Sequence, residues 1–210
     1  MTSAAVPGLR AVLWDMDGVL VDSYEVWYEL LRATARALGG VVVTRAQFEA
    51  GWGQGIEKDV ELLFPHKSIA EVEAHYHAHF MDHAALLRVD PDARAVVARI
   101  RELGLAQALI TNTPGPLARE IVAAAGLALD AVVGGTDVAA GKPAPDMVLE
   151  ACRQLRVSAA QAWVVGDSRY DRDAAAAARV HFVGVRMDGD ARISRLAELL
   201  DLLGASMLAS

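Results

Sequence analysis

Ala11-Val12-Leu13-Trp14-Asp15-Met16-Asp17-Gly18-Val19-Leu20 decides how this chain is read. The apolar run Ala11–Trp14 predicts a buried strand. It delivers two aspartates, two positions apart, into a glycine turn. Strand side chains alternate with period two, so Asp15 and Asp17 start out aimed toward the same side. One carboxylate so placed can attack as a nucleophile while the other handles protons, and the two can share a cation. Acidic turns are common on surfaces, and the downstream partners of this one give it its meaning.

Strand-like runs recur at 107–111, Ala131–Gly134, Ala162–Gly166 and His181–Val185. Helical patterns cover 91–103, 116–125 and Pro145 to Leu155, with another over 172–179 before the last strand. Such alternation predicts βαβ units and a parallel sheet with helices on both faces. It breaks once, between residues 23 and 88, where the short run 41–44 is the only strand-like stretch. There 24–38 and 69–87 read as helices, Gly39-Gly40 ends the first, and Gly51–Gly55 is a flexible turn. A helical block inserted straight after the first strand is expected to cap the strand ends, where open α/β sheets bind ligands. The expected fold is α/β, a doubly wound parallel sheet with an inserted small α-helical cap. The core would span 1–22 and 89–210, the cap 23–88.

The 210 residues are 54% hydrophobic and 22% charged, enough for a sizeable core. The formal net charge of −7 argues against a nucleic-acid or anionic-membrane partner, though a local cation can still draw an anionic substrate into one cleft. The single cysteine, Cys152, allows no intrachain disulfide and reads as a small packed residue on a helix. Residues 1–10 carry no charged-then-apolar targeting pattern, and no apolar run approaches a membrane span. A cytoplasmic protein is expected, monomer or homodimer.

Four groups follow four strand ends: Asp15/Asp17; Thr111-Asn112-Thr113; Gly141-Lys142-Pro143; and Gly166-Asp167-Ser168, with Asp171 just beyond. Each has an ordinary reading alone, such as a helix cap for Asp167 or a solvated loop lysine for Lys142. Together they bring a hydroxyl, an ammonium and carboxylates to one crevice. Carboxylates gathered this way repel and imply a hard cation, and oxygen-only ligands favour Mg²⁺ over Zn²⁺. An ammonium about 4 Å from a carboxylate offsets on the order of 4 kcal/mol at an effective dielectric near 20. Thr111 and loop amides are suited to hold phosphoryl oxygens. Asp17 is suited to protonate a departing alkoxide and then to deprotonate the attacking water. The set suits phosphoryl transfer through a covalent aspartyl intermediate.

These residues carry a resemblance. WDMDGVLVDS (Trp14 to Ser23), LITNT (Leu109 to Thr113), VVGGTDVAAGKPAPD (Val132 to Asp146) and VVGDSRYDRDAAAAA (Val164 to Ala178) resemble the motifs of the haloacid dehalogenase-like hydrolase superfamily, in its phosphoglycolate phosphatase-like branch. The resemblance implies a Rossmann-like core, a mobile helical cap and Mg²⁺ as cofactor. It implies Asp15 as nucleophile and metal ligand, and Asp17 as general acid/base that binds the metal through its carbonyl. Thr111 and Asn112 would contact the phosphoryl group, and Lys142 would steady both it and Asp15. Asp167 would be the remaining acidic ligand, with Asp171 a ligand or its close support. Two departures stand out: Arg179 where family members often have glycine, and Trp27 where related sugar phosphomutases carry a histidine.

Specificity is expected on the cap, with Trp52 and Gln54 in the loop 51–56 as candidates; the alternative is an ordinary helix–helix turn with Trp52 packed inward. That loop holds no cationic cluster, although Lys58 follows it. His75, His79 and His83 stand at helical spacing and read as a solvated or packed face rather than a zinc site. The expected function is a Mg²⁺-dependent phosphatase acting on a small phosphorylated metabolite, phosphoglycolate or a sugar phosphate. The alternatives are a phosphomutase, which Trp27 disfavours, and a non-catalytic phospho-ligand binding protein. A dehalogenase would have no use for Asp17 or Asp167.

Overall fold

The computed structural model describes residues 8–208. Residues 1–7, where no targeting signal is expected, lie outside the described residues, as do 209–210 at the end of the expected core. The chain opens with β1 (Ala11–Trp14) and β2 (Val21–Asp22). Helices α1 (Tyr24–Leu38), α2 (Arg45–Ala50), α3 (Ile56–Leu63) and α4 (Ile69–His79) follow, then a 3₁₀ stretch Phe80–Leu86 and β3 (Arg88–Val89). Strands and helices then alternate: α5 (Ala93–Glu102), β4 (Ala106–Thr111), α6 (Gly115–Ala124), β5 (Ala131–Gly134), α7 (Asp146–Leu155), β6 (Ala162–Gly166), α8 (Arg169–Ala178) and β7 (His181–Val185). The last elements are β8 (Ala191–Ile193) and α9 (Glu198–Leu208).

Six strands form one parallel sheet in the order β5-β4-β1-β6-β7-β8. The first strand is therefore central, with Trp14 opposite Leu109 on one side and Val165 on the other. The strand order reverses at β1, and the crevice of a doubly wound sheet opens beyond the carboxyl end of that strand. Alternation assigns the two faces. Val12, Trp14 and Leu109 join a core with α5, α6 and α9, while Leu13, Ala108 and Ile110 join one with α7 and α8. Gln107 is polar and fully buried, and it is matched: it accepts from Trp14 Nε1 at 3.1 Å and donates to the Val97 carbonyl at 2.9 Å. Cys152 is buried in the second core, as expected of a packed residue.

The helices between β2 and β3 gather around α1. Its apolar positions Val26, Trp27, Leu30 and Leu31 fall at helical spacing and are buried, and Trp27 meets the rings of Tyr76 and Phe80 edge-on at 5.4 and 5.3 Å. Capping boxes start two of the helices, Thr44 with Gln47 and Ser68 with Glu71. The two crossings to the sheet are joined as a short antiparallel ribbon, Val21 opposite Val89 and Asp22 opposite Arg88.

Several local expectations are corrected. The run 41–44 forms no strand: Thr44 caps α2, and Val41 and Val42 are exposed. The helix expected over 69–87 ends its α-helical part at His79 and continues as the 3₁₀ stretch that buries Phe80. The helix expected from 172 begins at Arg169, because Ser168 is its cap. Arg179 ends it in the left-handed conformation, φ 56° and ψ 43°, the turn that glycine usually serves.

Candidate active site

The parallel ladder extends one residue past β1, since Asp15 N donates to the Val165 carbonyl at 2.9 Å. This carries the Asp15 side chain to the mouth of the central strand, where it is buried. Lys142, from the loop after β5, reaches it there. Its ammonium donates to Asp15 Oδ1 at 2.6 Å, to Asp171 Oδ1 at 2.6 Å and to the Ile110 carbonyl at 3.1 Å. All three of its donors are engaged, so the ammonium holds two aspartates from two different strand ends in fixed places. Burial alone would lower the Lys142 pKa, but the Asp15 and Asp171 carboxylates more than reverse this, and the ammonium stays charged. The Asp15 carboxyl is raised well above its ordinary value by burial and by Asp171, against the pull of Lys142.

Asp17 occupies the next turn, and both of its oxygens are held. Ser23 Oγ and Trp27 Nε1 donate to Oδ1, the tryptophan at 3.3 Å. Thr113 Oγ1 at 3.1 Å and Thr111 Oγ1 at 3.4 Å donate to Oδ2. Burial raises the Asp17 pKa, and the hydrogen bonds from Ser23 and Thr113 oppose that rise. Gly18 then turns the chain at φ 84°, and a Cβ there would stand 2.1 Å from Asp167 Oδ2, so both the turn and the close approach require glycine.

Asp167 follows β6 and Asp171 begins α8, where Ser168 N and Oγ donate to Asp171 Oδ2 at 3.1 and 2.5 Å. Gly166 makes room for this aspartate: a Cβ on it would fall 2.4 Å from the Asp171 Cβ. Asp171 thus belongs at once to a helix cap and to the charged cluster. Burial, and after it the charge of Asp171, pushes the Asp167 carboxyl up to about 7. One oxygen each of Asp15, Asp167 and Asp171 lies within 4.8 Å of the others. Such an all-oxygen set fits a hard divalent cation like Mg²⁺ rather than Zn²⁺.

The helical block forms the opposite wall of a cleft of about 450 Å³. Trp52 lines it while resting on Tyr24 and Phe48, at ring separations of 5.0 and 5.4 Å, so it is both packed and at the wall. Gln54 is engaged, its amide donating to Asp59 Oδ1 at 2.6 Å. Asn112, expected at the phosphoryl group, spends its side chain on backbone instead. Its Nδ2 donates to the carbonyls of Gly53 (2.8 Å) and Lys142 (3.0 Å), and its Oδ1 accepts from Lys142 N at 2.8 Å. It therefore ties the loop 51–56 to the lysine loop. Lys58 turns away to Glu61 at 2.8 Å on the exposed face.

Sequence reasoning missed Ser23 and Thr113, which hold Asp17, and Asp59 and Tyr76, which line the helical wall. Ser23 and Thr113 lie inside the quoted motifs and were within reach; helical spacing sets Asp59 with Ile56 and Tyr76 with Val72 on buried faces, the signal that could have found them. His75 and His79 stack, with ring centroids 4.4 Å apart, but the histidines form no metal-binding group among the described residues. His75 meets Thr34 at 3.0 Å, His77 meets Glu120 at 3.1 Å and His79 meets Asp82 at 2.8 Å. Among the described residues the one group of carboxylate, His or Cys side chains arranged for a metal is Asp15, Asp167 and Asp171.

Comparison with known proteins agrees with this geometry. Residues 9–179 match the haloacid dehalogenase-like hydrolase family. A phosphoglycolate phosphatase from Cupriavidus necator is 31% identical, covering 100% of this chain and 99% of that protein. One from Neisseria gonorrhoeae is 31% identical over 87% of this chain and 82% of its own. Among solved structures, CbbY from Rhodobacter sphaeroides in complex with phosphate has the same fold, with a TM-score of 0.78 at 23% identity over 91% of this chain and 96% of that one. The chain belongs to the haloacid dehalogenase-like hydrolases, in their phosphoglycolate phosphatase-like branch. No helix among the described residues is long and apolar enough to cross a membrane.

Proposed function

We propose that this hydrolase is a Mg²⁺-dependent phosphatase of a small phosphate monoester, phosphoglycolate or a sugar phosphate, working through an aspartyl-phosphate. The observation that carries the reading is one ammonium, Lys142, at 2.6 Å from both Asp15 and Asp171, beside a fully hydrogen-bonded Asp17 in the same cleft. Asp15, Asp167 and Asp171 would hold the metal, together with the carbonyl of Asp17. The ion would supply positive charge against the phosphate dianion.

The steps belong to the side chains. Lys142 fixes Asp15 and draws the phosphoryl group, with Thr111 turning its hydroxyl toward the incoming oxygens. Asp15 attacks phosphorus while the bond to the leaving oxygen breaks, and Asp17 gives that oxygen its proton. Water then attacks the aspartyl-phosphate, Asp17 recovers a proton from it, and Asp15 is released with inorganic phosphate. The raised pKa of Asp17 suits the first of these proton transfers. Asn112 contributes by docking the loop 51–56 rather than by a side-chain contact to phosphate. The reading also takes 23–88 as a cap domain over a core of 1–22 and 89–210, supported by the ribbon β2–β3 at the crossings. The single buried cysteine is compatible with the cytoplasm, and monomer or homodimer both suit the composition.

Trp27 supports hydrolysis over mutase action, since its indole donates to Asp17 where a histidine would exchange protons with a sugar hydroxyl. The test is phosphate release from a panel of small monoesters, with and without Mg²⁺, using Asp15→Asn as control. Release that needs both the metal and Asp15 is expected, with loss of at least about 10³-fold in the variant. Turnover surviving in Asp15→Asn would overturn the nucleophile assignment.

A further inference from the structure

The helical wall of the cleft carries a buried carboxylate that the chemistry above does not use. Asp59, on α3, is 8% exposed and lines the cleft. Gln54 Nε2 donates to its Oδ1 at 2.6 Å and Tyr76 OH donates to its Oδ2 at 3.1 Å. Each carboxylate oxygen has a second lone pair, so the group can still accept from a ligand. Around it the wall is apolar, formed by Leu31, Val43, Phe48 and Ile56, and Val41 and Leu62 at its mouth are exposed. Among the described residues that line the cleft, Lys142 is the one cation, and its donors are engaged by Asp15, Asp171 and the Ile110 carbonyl.

We propose that this site selects phosphate monoesters whose alcohol portion is uncharged, presents apolar surface and offers a hydroxyl to Asp59, and that it discriminates against a second carboxylate such as that of phosphoglycolate. The inference rests on the phosphatase reading and narrows its substrate. A glycolate carboxylate leaving the sheet would enter a wall that holds a carboxylate and no free cation. Like charges brought together away from water are a strong means of rejection, and a site that hydrogen-bonds a hydroxyl rejects analogues lacking it. Burial pushes the Asp59 carboxyl up to about 6, against the hydrogen bonds from Gln54 and Tyr76. Above neutral pH it is therefore mostly charged, and at lower pH it is a hydroxyl-bearing acid that still offers an acceptor oxygen.

The decisive comparison is kcat/KM at pH 7.5 with Mg²⁺ for 2-hydroxyethyl phosphate and phosphoglycolate, which differ only in a hydroxymethyl against a carboxylate. A longer ω-hydroxyalkyl phosphate probes the apolar wall, and p-nitrophenyl phosphate reports the chemistry alone. The expected result is a preference of about tenfold or more for the hydroxyl ester, increasing with the alkyl chain. Asp59→Asn should shrink that preference several-fold by weakening the hydroxyl ester and relieving phosphoglycolate. Phosphoglycolate equal to or better than its hydroxyl analogue overturns the proposal while leaving the phosphatase reading intact. So does a preference that is unchanged in a folded Asp59→Asn. Failure to turn over any of these esters, p-nitrophenyl phosphate included, removes the phosphatase reading and the inference with it.

Discussion

On the sheet side of the cleft Asp15 and Asp171 share one ammonium, and Asp17 takes four donors from Ser23, Trp27, Thr111 and Thr113. On the helical side Asp59 meets only an amide and a phenol, in a wall of apolar side chains. Asp15 and Asp17 on one side and Asp59 on the other are buried carboxylates with raised pKa values, and burial is the first cause in each. The difference lies in what offsets the burial. On the sheet side Asp15 is offset by the opposite charge of Lys142 and Asp17 first by the hydroxyls of Ser23 and Thr113, in a cluster whose ammonium suits handling a phosphate dianion. The helical side uses neutral donors alone, which suits sorting neutral groups from charged ones. Chemistry and selection are thus separated by whether the carboxylates share a wall with an ammonium: Lys142 stands among those of the sheet side, and Asp59 has neutral donors alone.

The sharpest way to break this contrast is to remove the shared ammonium. Lys142→Met should leave Asp15 and Asp171 buried without their charge partner, at a cost of about 3–5 kcal/mol in stability. Activity should fall with it, because Asp15 loses the contact that fixes its direction. Urea unfolding with and without Mg²⁺ measures the first, and phosphate release the second. A midpoint equal to wild type without metal would mean that Lys142 does not stabilise the cluster. Next in size is Asp17→Asn, expected to cost about 10²–10³-fold in kcat on alkyl phosphates and clearly less on aryl ones, whose leaving group needs less protonation. Equal losses on both ester types would remove Asp17 from the role of acid.

The two sides also differ in how far they could be read from sequence. The strand ends were legible because apolar runs of strand length give way to acidic residues: Trp14 to Asp15, Gly166 to Asp167. A parallel sheet then brings its carboxyl ends together, so residues distant in sequence become neighbours by topology. The sheet order sets Asp15, Thr111 and Asp167 at the ends of three neighbouring strands for that reason. Asp59 was missed because α3 reads Ile-Glu-Lys-Asp-Val-Glu-Leu-Leu, an ordinary acidic amphipathic helix. Helical spacing sets Asp59 with Ile56, Val60 and Leu63 on the apolar face and leaves Glu57 and Glu61 outside, but the partners that hold it, Tyr76 and Gln54, come from other segments. The ribbon β2–β3 escaped for a different reason: strands two residues long have no periodicity to detect. Asn112 was recognised as important by its motif, but its side chain turned to the Gly53 carbonyl, a contact between two segments that local pattern cannot relate.

The smallest expected effect tests whether Asp59 is held by neutral donors alone. Its carboxyl titrates near 6 in the fold and near its ordinary value of 3.8 when unfolded. Between those values the folded state binds the extra proton, so protonation stabilises the fold. That contribution is complete below about pH 4 and is lost as pH rises through 6. Full loss amounts to about 3 kcal/mol, of which about 1.5 kcal/mol falls between pH 5 and pH 8. The neighbouring groups are Gln54, which does not titrate, Tyr76, whose pKa burial raises further, and Glu57, which adds to the rise. Other groups titrate over the same range, so the readout is the difference between wild type and Asp59→Asn. Wild type should lose about 1.5 kcal/mol relative to the variant from pH 5 to pH 8, measured by urea unfolding at each pH. Parallel stability curves would mean that Asp59 is already charged at pH 5, and an added cation or solvent at the helical wall would then have to be found.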